Sequence, residues 1–215
     1  MKNESDAESK VVLATEITNN LNTMDLKVVK KEMMEIEATT QTGEYVYAMD
    51  AESNFVLIEF WNELADIAEK LKDGKSYRFE SLIKSKSNFY KYTLQYQEYS
   101  NVISIDDLDI EILLVQPSEY ERENYYGEAR VNLQVEEISQ VQLLSDGTTK
   151  VVNHRCISSD GHDVKLQAWD NDIEKLSTLS NGDKVEVSGF IMIGTNRFGT
   201  IITVDETVKI KKLIS

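Results

Sequence analysis

The chain has 215 residues, a formal net charge of −15 and a single cysteine, Cys156. One thiol can form neither an intramolecular disulfide nor a cysteine zinc site, so the fold has to stand on packing, and a reducing compartment is expected. No apolar run approaches ~20 residues and no basic-then-apolar leader opens the chain, so neither a membrane span nor a secretory route is expected, and the location expected is nuclear or cytosolic.

In chain order, residues 1–23 begin MKNESDAESK, which has the composition of a flexible tail. A first domain is expected over 24–116. Met24 to Ala38 reads as a long strand followed by a turn signal, TTQTGE; Tyr45–Met49 and Phe55–Trp61 are β-prone runs. Asn62 can cap a short helix whose apolar stripe is Leu64, Ile67, Ala68 and Leu71, ended by Gly74. Tyr77–Ile83 and Phe89–Tyr96 complete five strands. An acidic linker is expected over 117–126, after the only proline, Pro117. A second domain, 127–215, repeats the order: strands at Val131–Ile138 (running on toward Leu144), Val151–Ile157, Asp163–Trp169, Lys184–Ile193 and Phe198–Val204. A helix capped by Asp170 or Asn171 follows the third strand and ends at Gly182.

The second half repeats the first without a gap over Phe55–Leu94 when shifted by 108 residues: Val56 meets Val164, Trp61 meets Trp169, Leu71 meets Leu179, Gly74 meets Gly182 and Ile83 meets Ile191. One supersecondary unit used twice implies a pair of similar small domains. Five strands with a lone helix between the third and fourth is the plan of the OB-fold, so the fold class expected is all-β, two tandem five-stranded OB barrels.

Strand parity orients the two tryptophans. Val164, Leu166 and Ala168 are uniformly apolar and must face in, which leaves Trp169 on the outer face with Asp163, Lys165 and Gln167. Trp61 lies outside the parity of Val56, Ile58 and Phe60. The connection between the fourth and fifth strands carries Lys84, Lys86, Phe89 and Lys91 in the first repeat, and Arg197 beside Phe198 in the second. Cations interleaved with aromatics suit single-stranded nucleic acid, because a cation tracks the phosphates while a ring stacks on a base. The charge is uneven enough to allow this. Residues 101–138 hold −8 of the −15, whereas 139–215 sum to −1.

Catalysis has little to stand on: His154 and His162 are the only histidines, no phosphate-binding glycine loop occurs, and no cofactor or metal site is expected. Two non-catalytic readings remain, a single-stranded DNA-binding module and an interaction subunit whose barrels bind protein.

On these motifs (FWNELADIAEKL, AWDNDIEKL and KDGKSYRFESLIKSKSNFYKYTL) the chain resembles the tandem DNA-binding OB domains of the replication protein A large subunit over roughly residues 24–215. The resemblance implies a role in DNA replication, repair or recombination in the nucleus, with single-stranded DNA and other OB-fold or DNA-maintenance proteins as partners. It also implies that Trp61 and Trp169 stack on bases and that Phe89 and Phe198 are the loop aromatics. Candidate phosphate contacts are Lys84, Lys86, Lys91, Lys165 and Arg197.

Overall fold

The computed structural model describes residues 10–36, 41–87, 90–120, 124–196 and 199–213. The chain separates into two compact units, Met1–Glu111 and Ile112–Ser215. In the first, β1 (Asn22–Ile36), β2 (Gln41–Met49) and β3 (Phe55–Trp61) form an antiparallel meander. A 3-10 turn, Asn62–Leu64, leads into α1 (Ala65–Glu69), then come β4 (Ser76–Lys84), β5 (Thr93–Gln95) and β6 (Asn101–Ser104). β5 pairs parallel with β3 and antiparallel with β4, and β4 returns to β1, which closes a five-stranded barrel; β6 is added outside β4. Closure removes the edges on which an open sheet would pair with other chains.

The second unit contains β7 (Leu113–Leu114), β8 (Tyr125–Glu137), β9 (Gln142–Leu143), β10 (Lys150–Ser158), β11 (Asp163–Trp169), α2 (Ile173–Leu176), β12 (Lys184–Asn196), β13 (Gly199–Val204) and β14 (Lys209–Lys212). β8, β10, β11, β13 and β12 close the second barrel through the β12–β8 pairing. The offset of 108 is kept in the ladders. Gly43 faces Trp61 as Val151 faces Trp169, Leu57 faces Thr93 as Lys165 faces Ile201, and Tyr77 faces Ser104 as Val185 faces Lys212. The sixth strands, β6 and β14, are therefore part of the repeat, although the sequence reading stopped at five. In the first strand the offset is 107: Leu26 faces Tyr77, and Leu133 faces Val185.

Each unit has its own core. Val46, Ala48, Val56, Ile58, Phe60, Phe79 and Leu94 are buried in the first, with Leu64, Ile67, Ala68 and Leu71 of the helical turn sealing one end. Val152, Cys156, Val164, Leu166, Ala168, Val187 and Ile202 fill the second. The inward parity expected for both third strands is what the structure shows: Val56, Ile58, Phe60, Val164, Leu166 and Ala168 are all fully buried.

Three local expectations need correction. The helices are a single turn preceded by a 3-10 turn, and neither Asn62 nor Asp170 caps one with its side chain. Both instead take left-handed backbone angles, φ 54° and φ 42°, at the corner where strand becomes helix. Asn and Asp tolerate that region better than other side chains, which accounts for the residue types at these two equivalent corners. Gly43, part of the TTQTGE turn signal, lies inside β2. The stretch expected to link the domains carries a 3-10 turn at Pro117–Tyr120, with Pro117 buried and Tyr120 packed on the second core; the units divide earlier, between Glu111 and Ile112.

Candidate nucleic-acid interface

On the second barrel the outer face of β10 and β11 is open and polar. Trp169, 36% exposed, donates its indole N–H to Gln167 Oε1 (3.0 Å), and Gln167 Nε2 donates to Asn153 Oδ1 (2.7 Å). Along the same face Lys165 stands opposite Arg155, and Arg155 is held by Asp163, with Nε at 2.8 Å and a terminal nitrogen at 2.7 Å from Oδ2. The row thus runs from an aromatic platform through two amides to a pair of cations. Such a row offers a ring face for stacking, amide groups for base edges and a cation for a phosphate.

The same positions on the first barrel form a different surface. Leu57 and Glu59 belong to the outward parity of β3, yet they are 0% and 4% exposed. Residues after β4 cover this face. Tyr90 packs edge-on against Phe55 (ring centroids 5.2 Å apart) and Tyr47 (6.2 Å), and Ser85 Oγ donates to Glu59 Oε2 at 2.7 Å. Tyr47 also donates to Glu32 Oε2 (2.8 Å) and lies under the Lys30 ammonium, 4.9 Å from the ring centroid. Burial, with Tyr90 and Glu32 close by, pushes the Tyr47 phenol far above its ordinary value, so it stays a donor.

Trp61 sits lower than Trp169 for an identifiable reason. A Cβ placed on Gly43 would come within 2.7 Å of Trp61 Cε3, so only glycine lets the indole lie down on β2, where it meets Tyr45 edge-to-face at 6.1 Å. At the equivalent place the second barrel has Val151, a β-branched residue in place of the glycine. The ring of Trp169 stands further out.

The structure places Lys84, Lys86 and Lys91 at the surface, with Lys91 Nζ 5.3 Å from the Tyr92 ring centroid. Phe89, Arg197 and Phe198 lie outside the described residues. The sequence-predicted residues that come together are therefore Trp169 and Lys165 on one strand face. Gln167 shares that face as its parity implied, and Asn153 and Arg155 join from β10 without having been singled out; the signal available was polar residues on the outward parity of the paired strand. The chain's two histidines have structural places. His154 is buried on the inner face of β10, where Nδ1 accepts from Ser139 N (3.3 Å) and burial lowers its basicity, while His162 Nε2 meets Thr200 Oγ1 at 2.8 Å. Burial pushes the Cys156 thiol up to about 12, so it is not a reactive thiolate.

No protein-family model matches the chain, and no curated protein matches it. Among solved structures, a replication protein A heterotrimer bound to ssDNA matches 94% of this chain at 12% identity with a TM-score of 0.50, and the chain spans about half (51%) of that one. A murine DNA binding protein bound with ds DNA matches 90% of this chain and 97% of its own at 12% identity and a TM-score of 0.49. The Ifi202 HINa domain in complex with 20bp dsDNA matches 90% and 96% at 11% identity and a TM-score of 0.43. What this chain shares with the replication protein A chain is its fold: two OB barrels in tandem.

Proposed function

We propose that this protein binds single-stranded nucleic acid through the outer face of β10 and β11 on its second barrel. The observation that carries the reading is Trp169, an indole 36% exposed on a strand whose other outward residues are Gln167, Lys165 and Asp163, beside Asn153 and Arg155. A large aromatic held in the open by a hydrogen bond to a neighbouring amide is poorly used by the fold and well placed for a base. Residues 139–215 are near neutral, and the acids nearest this face, Asp163 and Glu137, stand beside or opposite Arg155 at the end of the row away from Trp169. DNA replication, repair or recombination in the nucleus is the setting in which we place such a module, and its action is binding rather than catalysis.

Titration with oligo-dT at several salt concentrations tests the reading. Affinity should fall with salt along a shallow slope, about two to four charges' worth, because few cations flank the platform. Affinity for duplex equal to that for a single strand of the same length would refute it.

A further inference from the structure

Trp61 borders a cleft of about 610 Å³ that the nucleic-acid reading does not use. We infer that this cleft receives lysine or arginine side chains of a protein partner. Its open aromatic faces are those of Trp61 and Tyr99, with the buried Tyr96 behind them; its charged members are Glu63 and Glu98, and among its lining residues there is no lysine, arginine or histidine. Aromatic faces attract cations through their quadrupoles, and carboxylates beside them add to the same preference. A phosphate entering here would meet two carboxylates and no cation. Neither Glu63 nor Glu98 is paired with a base among the described residues, so both charges are available to a ligand.

The walls are fixed before any ligand arrives. Trp61 rests on Gly43 and against Tyr45. Tyr96 is buried, stacks on Phe60 with ring centroids 4.7 Å apart, and donates its hydroxyl to Ser100 O at 2.9 Å. Tyr99 is 60% exposed, yet its turn is pinned on both sides: Ser100 N donates to Gln97 O, Gln97 N to Ser100 Oγ, and Ser100 Oγ to Ser81 O. A tyrosine kept exposed on a rigid turn, facing the same cleft as a seated tryptophan, is pre-organised for a ligand and contributes little to the barrel. The feature belongs to the first barrel alone, because the residue equivalent to Tyr99 is Thr207 and the one equivalent to Tyr96 is Val204. This site and the nucleic-acid face are separate, and each can fail without the other.

The test uses the full chain carrying Trp169→Phe, so that Trp61 is the only indole. A blocked octapeptide alternating lysine and glycine is titrated while Trp61 emission is recorded, with glutamate–glycine and serine–glycine octapeptides and oligo-dT as the other arms. Only the lysine peptide should change the emission, saturably, and Tyr99→Ala or Glu98→Gln should each weaken it roughly fivefold without moving the melting temperature. The inference is overturned if the lysine peptide leaves Trp61 unchanged, if Glu98→Gln binds it as tightly as the parent, or if oligo-dT moves the emission of Trp61 in its place. The nucleic-acid face is read separately, from Trp169 in the Trp61→Phe protein.

Discussion

The outer faces of the two barrels are built on one backbone and carry opposite chemistry. Residue by residue at the offset of 108, Trp61 answers to Trp169, but Glu59 answers to Gln167, Leu57 to Lys165, Phe55 to Asp163, Tyr45 to Asn153 and Tyr47 to Arg155. The first face is aromatic and acidic and is closed over by Tyr90; the second is amide-rich and open. The inner faces stay almost wholly apolar, Val56 and Ile58 answering to Val164 and Leu166, although single positions differ in size or polarity, Phe60 answering to Ala168 and Val46 to His154. Packing restrains the inside of a duplicated barrel to apolar side chains that together fill it, whereas the outside is limited only by what it meets. A tryptophan kept in both copies therefore does not imply the same ligand for both.

The comparison can be broken first at the core. Phe60→Ala removes one ring of the Phe60–Tyr96 stack and should destabilise the first barrel by about 3–5 kcal/mol, read as a lower denaturant midpoint. Since its second-barrel counterpart is Ala168, that barrel's transition should keep its midpoint. Outward residues should behave in the opposite way. Trp169→Ala should cost about 1–3 kcal/mol of oligo-dT binding, roughly 5- to 150-fold, with little change in melting. A melting temperature that collapses together with the affinity would make Trp169 a packing residue.

Gly43→Val gives the first barrel the second barrel's residue. The new side chain takes the seat of the indole, so the substitution should cost about 1–3 kcal/mol and make Trp61 more accessible to acrylamide quenching. Unchanged quenching would mean that Gly43 does not set the height of the ring.

The smallest effect concerns pH. His154 is buried and its basicity is lowered, so below its ordinary value of 6.5 the unfolded chain takes up the proton more readily than the folded one. The stabilisation from a neutral His154 is complete above pH ~6.5 and is lost as the pH falls through that value toward the folded-state pKa. The equivalent residue of the first barrel is Val46, which does not titrate. His154→Val should flatten that part of the stability profile of the second barrel; an identical profile would remove His154 from the account.

Much of the architecture could be read from the chain because it depends on patterns that chemistry imposes locally. The near-continuous apolar run of β3, the period-2 run of β11, the glycines ending the helical turns and the ungapped repeat all follow from what a barrel must bury and where its chain must turn. The site was harder to read. Parity alone placed Trp61 and Trp169 alike on the outside, and it could not show that Ser85 folds back onto Glu59 and Tyr90 onto Phe55, since those contacts join residues far apart in sequence. Gly43 resembled a turn residue because its use, a seat for an indole across the ladder, is a tertiary one. Tyr99 lay in a stretch with no periodicity, and only the hydrogen bonds of Ser100 show that it is held in place.

The most direct test of the central claim, that the two tryptophans serve different ligands, is oligo-dT titration of two single-tryptophan proteins, Trp61→Phe and Trp169→Phe, followed by intrinsic fluorescence. Trp169 should be quenched saturably in the first protein, and Trp61 should not respond in the second. Equal quenching of both indoles, or quenching of Trp61 alone, would contradict it.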